Sequence, residues 1–199
     1  MDGETWAAEV ALVASRTLRA RPGVGAVRVL CVDGPSGSGK TTLADAVAAE
    51  LAPLVGAVPV VHGDELYEGW PVVAAAPDRV AAFGLLADRV AATVLDPWSR
   101  GEPAVYPTWD WDLDAWGAER VVAPPAVAVL EGVALAARPL RARASLSVWV
   151  QADAAVRLPR VLARDGEPLR EPMTAWQRDE QTWFAHDRTS AESDIRLTT

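Results

Sequence analysis

The chain is poor in several residue types. In 199 residues it has one cysteine, one lysine, two histidines, two phenylalanines and two tyrosines. A lone cysteine closes no internal disulfide, so Cys31, set in an apolar run, is expected to be a buried, inert thiol in a reducing compartment. No run of 18 apolar residues occurs, which leaves no candidate membrane-spanning helix. The opening MDGETWAAEV lacks the basic-then-apolar pattern of a secretory leader, and a cytoplasmic location is the expectation. Consecutive basic residues are also missing and the formal net charge is −8. That argues against a nucleic-acid backbone or an anionic membrane as partner, while a small anion can still bind locally. The sharpest shortage is lysine, with 18 arginines beside the single Lys40.

Half of the residues are hydrophobic, enough for one good core, so a single domain over 1–199 is expected. Residues 4–20 carry Trp6, Val10, Val13, Ala14 and Leu18 at helical spacing, and RPGVG ends that helix by residue 22. The run from Val27 to Asp33 reads as a strand covered on both faces. Helix is expected over 41–51, strand over 57–64, helix over 77–95, and strands over 126–130 and 146–150. Helices over 153–164 and 173–186 follow, and SDIRLTT supplies a last short strand. Alternating strands and helices without hairpin signals give an α/β fold, a central parallel sheet flanked by helices. The stretch 97–125 reads as a long irregular loop, of the kind that usually carries function.

Between the first strand and the helix that follows it lies Gly34-Pro35-Ser36-Gly37-Ser38-Gly39-Lys40-Thr41, which fits the phosphate-loop pattern in its required context. Glycines let the backbone N–H groups turn inward on a polyphosphate, and the helix N-terminus adds positive potential. Gly34, Ser36, Gly37, Ser38, Gly39, Lys40, Thr41 and Thr42 are therefore the expected nucleotide-binding set, with Lys40 on the β- and γ-phosphates and Thr41 on Mg²⁺. Asp64 and Glu65 fall at the carboxyl edge of the sheet, where α/β proteins bind ligands. Asp64 is preferred to Glu65 as the base for an acceptor hydroxyl or as a metal group, the plainer alternative being a helix cap. Glu131 ends another strand at the same edge and is a further metal or substrate candidate. His62 reads as a packing or surface residue.

Arg157, Arg160 and Arg164 recur at spacings of three and four on one helix and suit a lid, over about 157–172, that neutralises charge on a transferred phosphoryl group. Tyr106, Trp109, Asp110 and Trp111 belong to an aromatic and acidic segment suited to a flat ring and its polar edges. Trp149, Trp176 and Trp183 read as core.

Taken together, GPSGSGKTT, DELY at 64–67, YPTWDW, LEG at 130–132, RLPRVLARD and SDIRL resemble, in order, the motifs of the uridine kinase family of P-loop kinases from about Val27 onward. The resemblance implies a three-layer P-loop NTPase fold, ATP and Mg²⁺ as cofactors, Asp64 as base, the aromatic segment and Tyr67 on the acceptor, and the arginine helix closing over both ligands. The family's histidine after the aromatic pair has no counterpart here, where Leu113 and Asp114 stand. The expected activity is ATP-dependent phosphorylation of a small-molecule hydroxyl, with a nucleoside such as uridine or cytidine foremost. A sugar or pantothenate-like acceptor and a nucleotide-binding regulatory module are the alternatives. Helical faces such as 4–20 suit pairing of two subunits.

Overall fold

A computed structural model describes residues 3–67, 69 and 78–199. Its elements, in chain order, are α1 (Gly3–Arg19), β1 (Arg28–Asp33), α2 (Lys40–Val55), β2 (Val60–His62), a 3₁₀ turn at Gly63–Leu66, α3 (Ala81–Val90), a π turn at Ala91–Leu95, α4 (Asp96–Ser99), β3 (Ala104–Asp110) and β4 (Ala115–Val122). They continue with β5 (Val127–Glu131), α5 (Arg138–Arg141), β6 (Leu146–Gln151), α6 (Ala154–Asp165), a 3₁₀ turn at Glu167–Leu169, α7 (Arg170–Asp187), α8 (Thr189–Glu192) and β7 (Ile195–Thr198).

Five strands form one parallel sheet in the order β2-β5-β1-β6-β7. Alternation along the central strands separates two apolar layers. Leu30 and Val32 of β1, with Val127 and Val129 of β5, pack under α1 and α2 against Val10, Val13, Leu43, Val47 and Leu51. Val29, Cys31, Ala128 and Leu130 face the other way, toward Phe83, Leu86, Val94, Trp98, Met173, Trp176 and Phe184. The expected three layers are present, and Cys31 is fully buried, where burial and nearby Asp33 hold its thiol well above the usual range.

The stretch 97–125 departs from its reading as a loop. It holds β3 and β4, paired antiparallel as a two-stranded ribbon outside the main sheet. Its turn contains no glycine or asparagine. The Asp110 carboxylate instead accepts the N–H groups of Asp112 and Leu113 at 3.0 and 2.9 Å, and Asp114 takes a left-handed φ of 48°. A register shift between Pro107 and Trp109 further breaks the two-residue alternation that would have betrayed the strand. The second strand is shorter than 57–64, so Asp64 sits in the 3₁₀ turn rather than at a strand end or as a helix cap. Pro77, the expected start of the helix over 77–95, lies outside the described residues. Among the described residues no helix is long and apolar enough to cross a membrane.

Candidate active site

The parallel register sets three strand ends side by side: Val32 pairs with Glu131, and Glu131 with His62. The chain leaving each strand turns at the same sheet edge, into the glycine-rich loop after β1, the 3₁₀ turn after β2 and the segment after β5. Asp33, fully buried at the end of β1, binds two of them together. Its carboxylate accepts N–H groups from Gly34 at 2.7 Å, Ala134 at 3.1 Å and Ala136 at 2.8 Å. Burial pushes this carboxyl up to about 7, against the pull of those donors and of Lys40.

The glycine-rich loop has the curl its sequence demands. Gly34, Gly37 and Gly39 all have left-handed φ values, 148°, 79° and 92°. At Gly37 a Cβ would also overlap the carbonyl oxygen of Arg157, so α6 packs on bare backbone there. Lys40 is buried and its Nζ donates to the Pro35 carbonyl at 3.1 Å, folded back across the loop. The Ser38 hydroxyl is buried with no hydrogen-bond partner.

A cavity of about 1010 Å³ opens over this edge. Ser36, Gly37, Gly39, Lys40, Thr41 and Thr42 line its floor, with Asp64, Tyr67, Trp111 and Glu131 on one side. The Thr41 hydroxyl lies 3.3 Å from both oxygens of Glu131, and Nδ1 of His62 lies 2.6 Å from one of them. That hydrogen bond raises the His62 imidazole above its ordinary value despite partial burial. His62, read from sequence as packing or surface, is thus the group that orients Glu131. Asp64 is exposed to the cavity. Desolvation, and next the charge of Glu131, raise its carboxyl above the usual range, while Lys40 and Arg164 draw it down. Glu65 turns away and pairs with Arg120 of β4 at 2.7 Å, which leaves Asp64 as the acid of the pair that faces the cavity.

No family model matches the chain, and no curated protein does. Solved structures do. One is provisionally assigned as a uridine kinase from Bacillus stearothermophilus, with a TM-score of 0.68 and 19% identity over 94% of this chain and 96% of that one. Another, from Silicibacter sp. TM1040, is provisionally assigned as a fructose transport system kinase, with a TM-score of 0.64 and 22% identity over 94% and 98%. The chain shares the fold of these two proteins.

Within this fold the remaining expected residues divide. Arg160 and Arg164 of α6 line the cavity. Arg160 donates to the Thr199 hydroxyl at 3.0 Å and, at 3.4 Å, to the Gly37 carbonyl. Arg157 does not reach the cavity wall. It lies at the level where α6 is covered by the glycine loop and α7, its guanidinium 3.9 Å from Glu180. Tyr106 is also displaced from its expected place. It is buried beneath the ribbon beside Leu66, Arg89, Thr93 and Trp116, in a separate small cavity. Trp109 stacks edge-on against Trp116 at 5.2 Å and covers Gly69, and the Asp110 carboxylate is spent on the ribbon turn. Trp111 does reach the cavity, and its indole N–H donates to the Asp64 carbonyl at 3.0 Å, tying the ribbon to the turn that carries Asp64.

Sequence reasoning missed several wall residues. Trp176, read as core, lines the cavity, donates from its indole to the Ser36 hydroxyl at 3.1 Å and meets Tyr67 edge-on at 5.3 Å. One turn along α7, the buried Glu180 accepts the Ser36 N–H at 3.1 Å and the Ser36 hydroxyl. Met173, Leu169, Thr199 and Trp6 also belong to the wall. Their places on a helix were legible, but not which loop that helix would meet.

Proposed function

We propose that the protein is a magnesium-dependent, ATP-using kinase that transfers the γ-phosphoryl group to a hydroxyl of a small molecule, a nucleoside being the foremost acceptor. The observation that carries this reading is the meeting of Asp64 with Lys40, Thr41 and Glu131 in one cavity at the carboxyl edge of the sheet. The donor set suits the ligands. Backbone N–H groups of Gly37, Gly39, Lys40 and Thr41 and the unpartnered Ser38 hydroxyl fit phosphate oxygens, while the Ser36 and Ser38 N–H groups are held by Glu180 and the Pro35 carbonyl. Among the described residues no cluster of three His, Cys, Asp or Glu forms a metal cage. A hydroxyl with one or two carboxylates is what Mg²⁺ takes when phosphates and water supply its other ligands, and Thr41, Glu131 and Asp64 offer that set.

Bound MgATP would supply the transferable phosphoryl group. Lys40 exchanges the Pro35 carbonyl for phosphate oxygens, Thr41 and Glu131 hold the metal side, and Arg160 and Arg164 offset charge from above. Asp64 accepts the proton of the acceptor hydroxyl as its oxygen bonds to phosphorus and the bond to ADP breaks. A carboxyl held above its usual range by the enclosing site and the neighbouring Glu131 is the stronger base for that task. Tyr67, Trp111 and Trp176, with Asp112, present flat apolar faces and a polar edge, which favours a ring-bearing acceptor.

ATP consumption measured across a panel of nucleosides, sugars and pantothenate tests the reading. One acceptor class is expected to accelerate ADP formation, and Lys40→Ala and Asp64→Asn each to cut turnover by roughly 10²-fold or more with the fold intact. ATP binding with no acceleration by any acceptor would instead indicate a regulatory nucleotide module. Near-wild-type turnover in Asp64→Asn would remove Asp64 as base.

A further inference from the structure

We propose that Trp6, on the first turn of α1, is the platform on which the base of the bound nucleotide stacks. This rests on the kinase reading above and extends it to the donor's far end.

The direction of the nucleotide follows from its phosphates. In a glycine loop of this kind the lysine reaches the β- and γ-phosphates while the backbone cradles the α- and β-phosphates, so the terminal phosphate points toward the acceptor base. Here that end is marked by Lys40, Thr41, Asp64 and Glu131. The nucleoside must therefore leave on the side away from Asp64, past Gly39 and Thr42. Thr199 stands against Gly39 and holds Arg160, and Trp6 lines the same cavity from α1, the helix that packs on the α2 to which Thr42 belongs. Thr199 and Arg160 are fixed to the loop itself, Thr199 donating to the Ser38 carbonyl at 2.9 Å and Arg160 donating to Thr199.

Four aromatic side chains line the cavity among the described residues. Trp111 and Tyr67 belong to the Asp64 side, through the Trp111 bond to the Asp64 carbonyl, and Trp176 joins Tyr67 by ring contact. Trp6 is the aromatic left for the nucleoside exit. It is half-buried and anchored, since it packs against the apolar layer in which Val10 and Val13, further along α1, are buried with Leu43 and Val47 of α2. A rigid indole beside an exit that must pass a flat heterocycle is a stacking surface, and stacking tolerates any base because every base has a π-face.

The test compares ATP with inorganic tripolyphosphate, which keeps the phosphates and has no base. Both are titrated with Mg²⁺ into wild type, Trp6→Leu and Trp6→Phe, with melting temperatures as a folding check. Trp6→Leu keeps an apolar side chain against α2 but loses the flat face. It is expected to weaken ATP roughly ten- to hundred-fold while tripolyphosphate binding stays within about twofold, and Trp6→Phe to keep most of the ATP affinity. Equal loss of both ligands, meaning Trp6 merely props the glycine loop, would overturn the proposal, as would no loss of either. If wild type bound tripolyphosphate and ATP equally well, no base contact would exist. If it bound neither, the nucleotide reading itself would fall.

Discussion

Glu180 is a carboxylate with 1% of its surface exposed, pressed against the backbone of a loop built to hold anions. The groups facing it are the N–H and hydroxyl of Ser36, the ammonium of Lys40, the guanidinium of Arg157 on α6, the indole of Trp176 and the phenol of Tyr67. Desolvation outweighs Lys40 and the Ser36 donors, and its carboxyl lies above the ordinary glutamate value. The folded state thus prefers the protonated form, and the charged form carries the cost. Wild type should gain stability over Glu180→Gln as pH falls from the raised value to the ordinary one, and the difference should be flat outside that window. Thermal unfolding of both proteins between about pH 4 and pH 7 checks the sign, and a difference that grows with rising pH would contradict it. Glu180→Ala is more severe, because it leaves the Ser36 N–H without an acceptor, at a cost of about 1–3 kcal/mol.

At the scale of elements, the glycine loop is gripped from three sides. Helix α7 holds Ser36, α6 lies on Gly37 and Thr199 binds the Ser38 carbonyl. Gly37→Ala meets both a left-handed φ of 79° and the Arg157 carbonyl. It should cost roughly 1–3 kcal/mol in backbone strain alone and push α6 off the loop. The expected outcome is a lowered melting temperature together with loss of tripolyphosphate binding, whereas an alanine at Gly101, which has a similar φ of 75° but whose Cβ would meet no atom within 4 Å, should carry the backbone strain and leave that binding intact. The loop was legible from sequence because its constraint is local: the glycines, Lys40 and Thr41 are consecutive, between a strand and a helix. The ribbon at 104–122 was not, since its turn is closed by the Asp110 side chain in place of glycine and its alternation breaks near Pro107. Tyr106 and Trp109 were sent to the site on that misreading. Once the segment is a strand pair, alternate residues must turn to opposite faces, and only the turn residues Trp111 and Asp112 reach the cavity.

For the whole molecule, the two apolar layers are unequal partners of the site. The α7 layer supplies its wall through Met173 and Trp176, while the α1–α2 layer holds its floor from behind and reaches the cavity through Trp6. Removing residues 1–20 would uncover the face of α2 that Val10 and Val13 bury. The loss is about 3–6 kcal/mol from those two side chains, enough to threaten a fold of ordinary stability. The truncated chain should melt far lower or aggregate. Such long-range support leaves only a helical stripe in the sequence, which says that a face is covered and not by what. The Glu180–Ser36 contact, 144 positions apart, was hidden for the same reason.

Lys40 has no other lysine for company in these 199 residues, and only 8% of it is accessible. An amine-directed acylating reagent therefore has a single side-chain target, at the heart of the cavity. The N-terminal amine takes the first acyl group, so the yield of the second, at Lys40, gauges how many molecules carry a ligand over that ammonium, readable by intact mass without a substrate, a label or an assay of turnover.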